Sequence, residues 1–114
     1  MVTQSAAVFA AISDPTRRAI LDSLRRGERS AGHIAADYRV SRPAISKHLR
    51  VLREAGLVNE RRESRLRLYS LAPAPLQNVA QWLDPYRVFW AARLQDLRSV
   101  AESTHRATSA PSRR

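Results

Sequence analysis

The chain has 114 residues, a formal net charge of +10 at pH 7 and no cysteine. This length supports one domain with a core of moderate size, and the lack of cysteine excludes disulfide bonds and thiolate metal sites. The positive charge favours a polyanionic partner such as nucleic acid, but this evidence is modest because Lys47 is the only lysine and GC-rich genomes also favour arginine.

The opening sequence, MVTQSAAVFAAISD, lacks the cationic start and the long apolar centre of a secretory signal peptide. No stretch of the chain approaches the ~20 apolar residues that a membrane-spanning helix requires. We therefore expect a soluble, cytoplasmic protein that has no membrane partner.

Two helices are predicted before the first glycine. The first covers residues 5–11, and the second covers residues 15–26 behind Asp14, whose side chain suits an N-cap. Arg17 and Arg18 lie away from the apolar side of the second helix, so we expect both to remain in solvent.

A third and a fourth helix follow, separated by a tight corner. The third covers residues 30–38, with Ser30 as its N-cap. The fourth begins after Ser41, has Pro43 in its first turn and ends before Gly56. A helix-corner-helix unit of this kind places its second helix in the major groove of DNA.

The fourth helix has two chemically different faces. Ile45, Leu49 and Leu52 recur at i, i+4 and i+7, so they share the face that anchors the helix to a core. Arginine and lysine on the far face can donate to guanine edges or phosphates, and serine permits close approach. The alternative is a solvated cationic face that touches nothing. This far face carries Arg42, Ser46, Lys47, Arg50 and Arg53.

A basic hairpin is predicted directly after the fourth helix. Two short strands at residues 57–62 and 66–71 flank the polar turn at residues 63–65. Along the second strand the leucines point to one side, and the arginines and Tyr69 point to the other. We interpret this hairpin as a wing that lies along the DNA backbone or the minor groove, the alternative being an ordinary solvated hairpin. Its cations are Arg61, Arg62, Arg65 and Arg67.

Apolar residues recur at steps of three or four over residues 74–103, which predicts a last helical segment. Pro85 interrupts the pattern, so we expect two helical pieces or one bent helix. Both tryptophans are here, and this aromatic surface exceeds what one helix needs to cover a small domain, which indicates an interface between chains. The alternative is a helix that closes the core of its own chain. Residues 104–114 are polar and contain proline, so we expect a disordered tail.

Several stretches resemble the ArsR family of winged helix-turn-helix repressors: DPTRRAIL at 14–21, SKHLRVLREAGLV at 46–58 and LYSL at 68–71. Residues 75–97 are similar to the C-terminal helical segment of its metal-independent, autorepressor-like branch. The resemblance covers about residues 5–102. It implies a mainly α fold with a small β-hairpin, a homodimer formed through the first and last helices, and a partly palindromic operator in double-stranded DNA.

The sequence departs from this family in two places. Metal-sensing members place their ligands in the third or the last helix, but the third helix here offers His33, Ala35 and Asp37, and residues 96–98 lack the histidine of an Asp-x-His pair. We therefore predict no metal site and no cofactor, the alternatives being a histidine–carboxylate site across a dimer or an apolar dimer pocket. Residues 63–65 replace the glycine that relatives often have, which predicts a longer or differently shaped wing turn.

Catalysis finds little support in the sequence. Gly27, Gly32 and Gly56 are too scattered for a phosphate-binding loop, and no Gly-x-Ser-x-Gly motif occurs. We therefore predict no catalytic residue. His48 borders the buried face of the fourth helix, and we interpret it as a packing residue that makes a hydrogen bond.

The predicted function is a dimeric, sequence-specific transcriptional repressor whose residues 1–103 form one DNA-binding and dimerisation domain. The alternatives are a sensor gated by a metal or metabolite, and a module whose basic face binds an acidic protein. A small-molecule or protein effector is a further possible partner. The predicted DNA contacts are Ser41, Arg42, Pro43, Ser46, Lys47, Arg50, Arg62, Arg65 and Arg67. The predicted dimer contacts are Phe9, Leu83, Tyr86, Phe89, Trp90, Leu94 and Leu97.

Overall fold

A computed structural model describes residues 3–109, which form five α-helices and a three-stranded antiparallel sheet. The predicted fold class is confirmed, and β1 is a strand that the sequence analysis missed. In chain order the elements are α1 (Gln4–Ile12), α2 (Pro15–Leu24), β1 (Arg29–Ser30), α3 (Ala31–Ala36), α4 (Arg42–Glu54), β2 (Val58–Glu63), β3 (Leu66–Leu71), a 3-10 turn (Ala74–Leu76) and α5 (Gln77–Ser109).

Side-chain caps define where four of the helices begin, and Thr3 caps α1 by accepting from the backbone N–H of Ala6 at 3.1 Å. Asp14, Ser30 and Ser41 each accept a hydrogen bond from the backbone N–H three residues later, at 3.0, 3.1 and 3.2 Å. These three predicted N-caps are therefore confirmed, because each cap satisfies a donor that the first helical turn leaves free. The helix ends were placed less well, since α2 ends at Leu24 and α3 at Ala36, two residues earlier than predicted.

The core lies between α4 and the helices that precede it. Ile45, Leu49 and Leu52 are fully buried, as their spacing predicts. Burial of each such side chain stabilises the fold by about 1.5–3 kcal/mol relative to exposure. The other buried core residues are Val8, Ala11, Ile20, Leu21, Leu24, Ile34, Ala55, Leu57, Val58 and Tyr69.

Arg17 is not the solvated side chain that the sequence suggested. Its Nε donates to the carbonyl oxygen of Ala11 at 2.6 Å, and its Nη2 donates to that of Ala10 at 3.0 Å. Arg18 is exposed, as expected, and its Nη1 also donates to the carbonyl oxygen of Ile12 at 2.8 Å. The last carbonyls of a helix lack intrahelical donors, and these two arginines supply them. The prediction for Arg17 was wrong because helical periodicity does not show the end of a neighbouring helix.

His48 makes the hydrogen bond that was predicted for it. Its side chain is 18% exposed, and its Nδ1 lies 3.2 Å from Nη1 of Arg17. Asp14 Oδ2 lies 3.9 Å from the same nitrogen. The pKa of Asp14 is lowered, mainly because its carboxylate accepts a hydrogen bond from the backbone N–H of Arg17. Desolvation opposes this shift, and the charges of His48 and Arg17 add to it. These contacts join the start of α2 to the buried side of α4.

The sheet has the order β1-β3-β2, with both pairs antiparallel. The wing turn is short, because Glu63 and Leu66 are paired directly and only two residues connect them. The prediction was a longer or differently shaped turn, and the turn is not longer. Ser64 in this turn has a φ of 60°, a conformation that glycine adopts without strain. Along β3, Tyr69 is buried whereas Leu66 is 53% exposed, so the fully buried side chain of this strand is not one of its leucines.

Residues up to Ala80 form one compact unit, and residues from Gln81 onward form a second one. That residues 1–103 form a single DNA-binding and dimerisation domain stays a prediction. Helix α5 is one continuous helix that contains Pro85, so two separate helical pieces are not observed. It also extends to Ser109, six residues into the segment that was expected to be disordered, because residues 104–109 contain no glycine or proline to stop it. Residues 110–114 of that tail lie outside the described residues.

Within residues 3–109, no helix is long and apolar enough to cross a membrane.

Candidate nucleic-acid interface

The predicted reading face of α4 is open to solvent. The same helix that buries Ile45, Leu49 and Leu52 leaves its opposite side uncovered, so packing orients the cationic face outward. Gly56 ends the helix with a φ of +81°, and the chain then turns directly into β2. The exposed side chains of this face are Ser41, Arg42, Pro43, Ser46, Lys47, Arg50 and Arg53.

The structure brings the α4 face and the hairpin together. One concave surface is lined by Arg42 and Ser46 from α4, by Arg65 and Arg67 from the hairpin, and by the start of α3. A second concave surface is lined by one side of α4 and by two residues of β3. The residues of this second surface, which we call the α4–wing cleft, are Pro43, Ser46, Lys47, Arg50, Arg53, Arg67 and Tyr69.

Two of the nine predicted DNA contacts lie outside these surfaces. Ser41 is exposed, but its Oγ already accepts the backbone N–H of Ala44 at 3.2 Å, so its first role is to cap α4. Arg62 is exposed on β2 and is the cross-strand partner of Arg67. Cross-strand partners point to the same face of a sheet, so Arg62 extends the cationic surface along the wing.

Some cationic side chains of this region are paired with carboxylates of the protein and others are not. Within the described residues, no ion pair forms to Arg42, Lys47, Arg50, Arg62 or Arg65. These five charges therefore remain available to an external anion.

Arg61 behaves differently from its neighbours on the wing. Its guanidinium donates to both carboxylate oxygens of Glu28, at 2.7 and 2.8 Å, and lies 2.9 Å from Glu63. These hydrogen bonds raise the pKa of Arg61 above its ordinary value. Arg61 thus ties β2 to the segment before β1, and its charge is compensated inside the protein. The sequence could not separate Arg61 from Arg62, because the difference depends on strand register and on Glu28, which lies 33 residues away.

Glu60 is a site residue that the sequence analysis missed. Its Oε1 accepts from Arg53 Nη1 at 2.7 Å, its Oε2 accepts from the Tyr69 hydroxyl at 2.5 Å, and Arg67 Nη1 lies 3.9 Å from Oε2. The Tyr69 hydrogen bond is the largest cause that lowers the pKa of Glu60, and the charges of Arg53 and Arg67 add to it. Burial, followed by the bond to Glu60, raises the pKa of Tyr69. One carboxylate therefore links α4, β2 and β3 beside the α4–wing cleft.

His33 and Asp37 occupy the positions on the third predicted helix where metal-sensing relatives place ligands. Asp37 Oδ2 lies 2.6 Å from Arg29 Nη2, so this carboxylate is engaged by an arginine of β1. His33 is exposed on α3. In the described part of the chain, no group of three or more histidine, aspartate or glutamate side chains is placed to hold a metal ion.

The second compact unit presents a continuous aromatic stripe along α5. The ring centroids of Trp82 and Tyr86 are 5.2 Å apart, and those of Tyr86 and Trp90 are 6.5 Å apart. The Arg93 guanidinium carbon lies 5.0 Å from the centre of the Phe89 ring, within the range of a cation–π contact. Of the predicted dimer contacts, Leu83 and Phe9 are partly buried, and those that are largely exposed are Tyr86, Phe89, Trp90, Leu94 and Leu97.

Comparison with known proteins identifies the family. The family model described as "Bacterial regulatory protein, arsR family" matches residues 14–60 of this chain. The chain is 45% identical over 76 residues to the transcriptional repressor SdpR of Bacillus subtilis, which covers 67% of this chain and 84% of that protein. It is 40% identical over 93 residues to the HTH-type transcriptional regulator Rv2034 of Mycobacterium tuberculosis, which covers 82% of this chain and 84% of that protein.

The fold is similar to that of a solved structure from the same family. The ArsR-like transcriptional regulator from Rhodococcus sp. RHA1 matches with a TM-score of 0.63 and 39% identity, covering 86% of this chain and 92% of that one. The matched sequence contains α2, α3 and α4, and α4 carries the cationic face described above. The protein therefore belongs to the ArsR family of winged helix-turn-helix proteins, and it is a DNA-binding transcriptional regulator rather than an enzyme.

Proposed function

We propose that this protein is a dimeric repressor that binds a partly palindromic operator, with α4 of each subunit in the major groove and each wing on the flanking backbone. The observation that carries this proposal is the convergence of cations from α4 and the hairpin around shared concave surfaces. Four of them, Arg42, Lys47, Arg50 and Arg65, form no ion pair within the described residues. The name of the similar Bacillus subtilis protein, a transcriptional repressor, supports the direction of regulation.

The α4 residues divide into those that read bases and those that hold the backbone. Arg42 and Ser46 lie at the start of the helix, the part that contacts base edges in helix-turn-helix proteins. Pro43 is exposed beside them and offers an apolar contact to a thymine methyl group. Lys47 and Arg50 lie further along, on the wall of the α4–wing cleft, and are assigned to phosphates.

The wing residues are assigned to the DNA backbone. Arg62 and Arg65 are exposed and free of ion pairs within the described residues. Arg67 can still donate hydrogen bonds to a phosphate, because its contact with Glu60 is 3.9 Å long. Contacts of this kind set register and affinity, and they carry little base information directly.

The dimer contact is assigned to α5 and to Phe9 of α1. Exposed aromatic side chains on one helix face amount to a patch that monomeric proteins rarely leave open. A two-fold dimer also doubles the number of base contacts and presents two equivalent α4 helices. Half-sites in an operator for such a dimer would lie about one helical turn apart, ~10 base pairs between centres.

Selection of bound duplexes from a random DNA pool tests the proposal. The protein should enrich an inverted repeat, and the enriched duplex should compete far better than a scrambled duplex of the same composition. Enrichment of a single, unrepeated half-site would contradict the dimeric arrangement. The absence of any enriched sequence would contradict the operator-binding role.

A further inference from the structure

Glu60 is an acidic side chain placed beside a surface that is otherwise cationic. It lies on β2 at the base of the wing, and its side chain is 21% exposed. Both of its carboxylate oxygens are engaged, Oε1 by Arg53 of α4 and Oε2 by the hydroxyl of Tyr69 on β3. A carboxylate held at both oxygens by two different elements has little freedom to turn.

Tyr69 fixes this arrangement to the core. Its side chain is 4% exposed and packs in the hydrophobic cluster, while its hydroxyl reaches Glu60. Tyr69 and Glu60 are also direct cross-strand partners, so the hydrogen bond joins the side chains of one residue pair of the hairpin. The position of Glu60 is therefore set by β-sheet register and by core packing, and the long arginine side chains adapt to it.

The two arginines around Glu60 come from the two elements that line the α4–wing cleft. Arg53 comes from the last turn of α4 and Arg67 from β3, and both line that cleft together with Lys47 and Arg50. Arg53 has a 2.7 Å hydrogen bond to Glu60, but Arg67 lies at 3.9 Å, too far for a hydrogen bond. The Arg67 guanidinium also interacts with the Tyr69 hydroxyl, and its remaining N–H groups are available to a second anion.

We propose that Glu60 is a positioning residue that holds Arg53 and Arg67 in the α4–wing cleft so that one DNA backbone phosphate binds between them. The cleft thereby becomes a phosphate-binding site shared by helix and wing, and Glu60 sets the angle of the wing against α4. This inference rests on the proposed operator binding and adds Arg53, Glu60 and Tyr69 to the residues that determine affinity.

The inference makes a prediction opposite to that of net charge. Replacing Glu60 by glutamine removes a negative charge near DNA, so simple electrostatics predicts tighter binding. If Glu60 positions the two arginines, the same change weakens the specific complex because the arginines lose their shared acceptor. Glu63 offers a matched control: it is an exposed glutamate of the same strand, its contact is with Arg61, and it lies away from the cleft.

The experiment compares Glu60→Gln, Tyr69→Phe and Glu63→Gln on the duplex selected by the wild-type protein and on its scrambled counterpart, across a salt series. Glu60→Gln should weaken binding of the selected duplex about tenfold, a loss appropriate to one charge-assisted contact. It should also reduce the salt slope by about one unit, as expected when one phosphate contact is lost. Tyr69→Phe should change both quantities in the same direction by less, and Glu63→Gln should bind both duplexes equally well or slightly more tightly.

Binding by Glu60→Gln that equals or exceeds that of Glu63→Gln on the selected duplex would overturn the inference while leaving operator binding intact. If Glu60→Gln fails to fold in a thermal melt, Tyr69→Phe decides the question, because a folded Tyr69→Phe with unchanged affinity and salt slope would also overturn it. A wild-type protein that shows no preference for any duplex would overturn the proposed function itself, and the inference with it.

Discussion

Two helices of this chain share the same apolar spacing and differ in what covers them. On α4 the residues at i, i+4 and i+7 are fully buried, whereas on α5 the comparable residues Tyr86, Trp90, Leu94 and Leu97 are between 47% and 65% exposed. Periodicity therefore predicts which side of a helix is apolar, but it does not say whether the same chain covers that side. The winged unit buries its own apolar side chains, whereas the α5 stripe is exposed in the single chain, which is why we propose it as the subunit contact.

The largest expected effect lies in the core of the winged unit. Leu49→Ala should lower the free energy of unfolding by about 2–5 kcal/mol, because it leaves a cavity beneath α4. Leu94→Ala on α5 removes the same atoms from an exposed position and should matter only where subunits associate. Chemical denaturation at several protein concentrations measures both changes. A loss below about 1 kcal/mol for Leu49→Ala would contradict the assigned core.

The next effect concerns self-association through α5. Trp90→Ala should raise the dimer dissociation constant by about 30-fold or more, because buried tryptophans at interface centres contribute about 2 kcal/mol or more. Val88→Ala is a suitable control, since Val88 is 73% exposed and lies about 200° around the helix from Trp90. Sedimentation equilibrium of both variants gives the answer. Equal dimer dissociation constants for the two variants would show that the α5 stripe is not part of the subunit interface.

A smaller effect is expected for base reading by α4. Arg42→Ala should change the preference among single-base variants of the selected duplex by about 1–3 kcal/mol at the contacted position. Sedimentation of this variant should match the wild type, because Arg42 belongs to the winged unit. Binding titrations against the set of duplex variants provide the measurement. Should the affinity fall equally for every duplex, Arg42 would serve only to hold the protein on the backbone.

The smallest effect separates free cations from paired ones. Lys47→Ala should reduce the slope of log affinity against log salt by about 0.9 unit, the value for one lost phosphate contact. Arg61→Ala is the control, because Glu28 and Glu63 already engage its guanidinium and its slope should stay at the wild-type value. Fluorescence titrations over a salt series measure both slopes. An unchanged slope for Lys47→Ala would exclude it as a phosphate contact.

Local sequence was enough to locate the helices and the outward face of α4. Asp14, Ser30 and Ser41 act on N–H groups only three residues away, so their capping roles follow from short-range chemistry. The exposed face of α4 follows from the same periodicity that buries Ile45 and Leu49. Both features are local, and both were predicted.

The remaining features depend on contacts between distant parts of the chain. Strand β1 has two residues, and its pairing with β3 joins Arg29 to Tyr69. A strand so short leaves no pattern that a sequence can reveal. The contacts of Arg17 with the end of α1 and of Glu60 with Arg53 likewise require tertiary structure. Such contacts decide which cations are free to bind DNA.

The central claim is that two subunits, joined through the α5 stripe, present two α4 faces to one operator. Sedimentation velocity of the wild-type protein mixed with the selected duplex measures the number of subunits on each DNA molecule. The account predicts two subunits per duplex at saturation, and one subunit per duplex for Trp90→Ala at concentrations below its dimer dissociation constant. A wild-type complex that saturates at one subunit per duplex, with undiminished sequence preference, would contradict it.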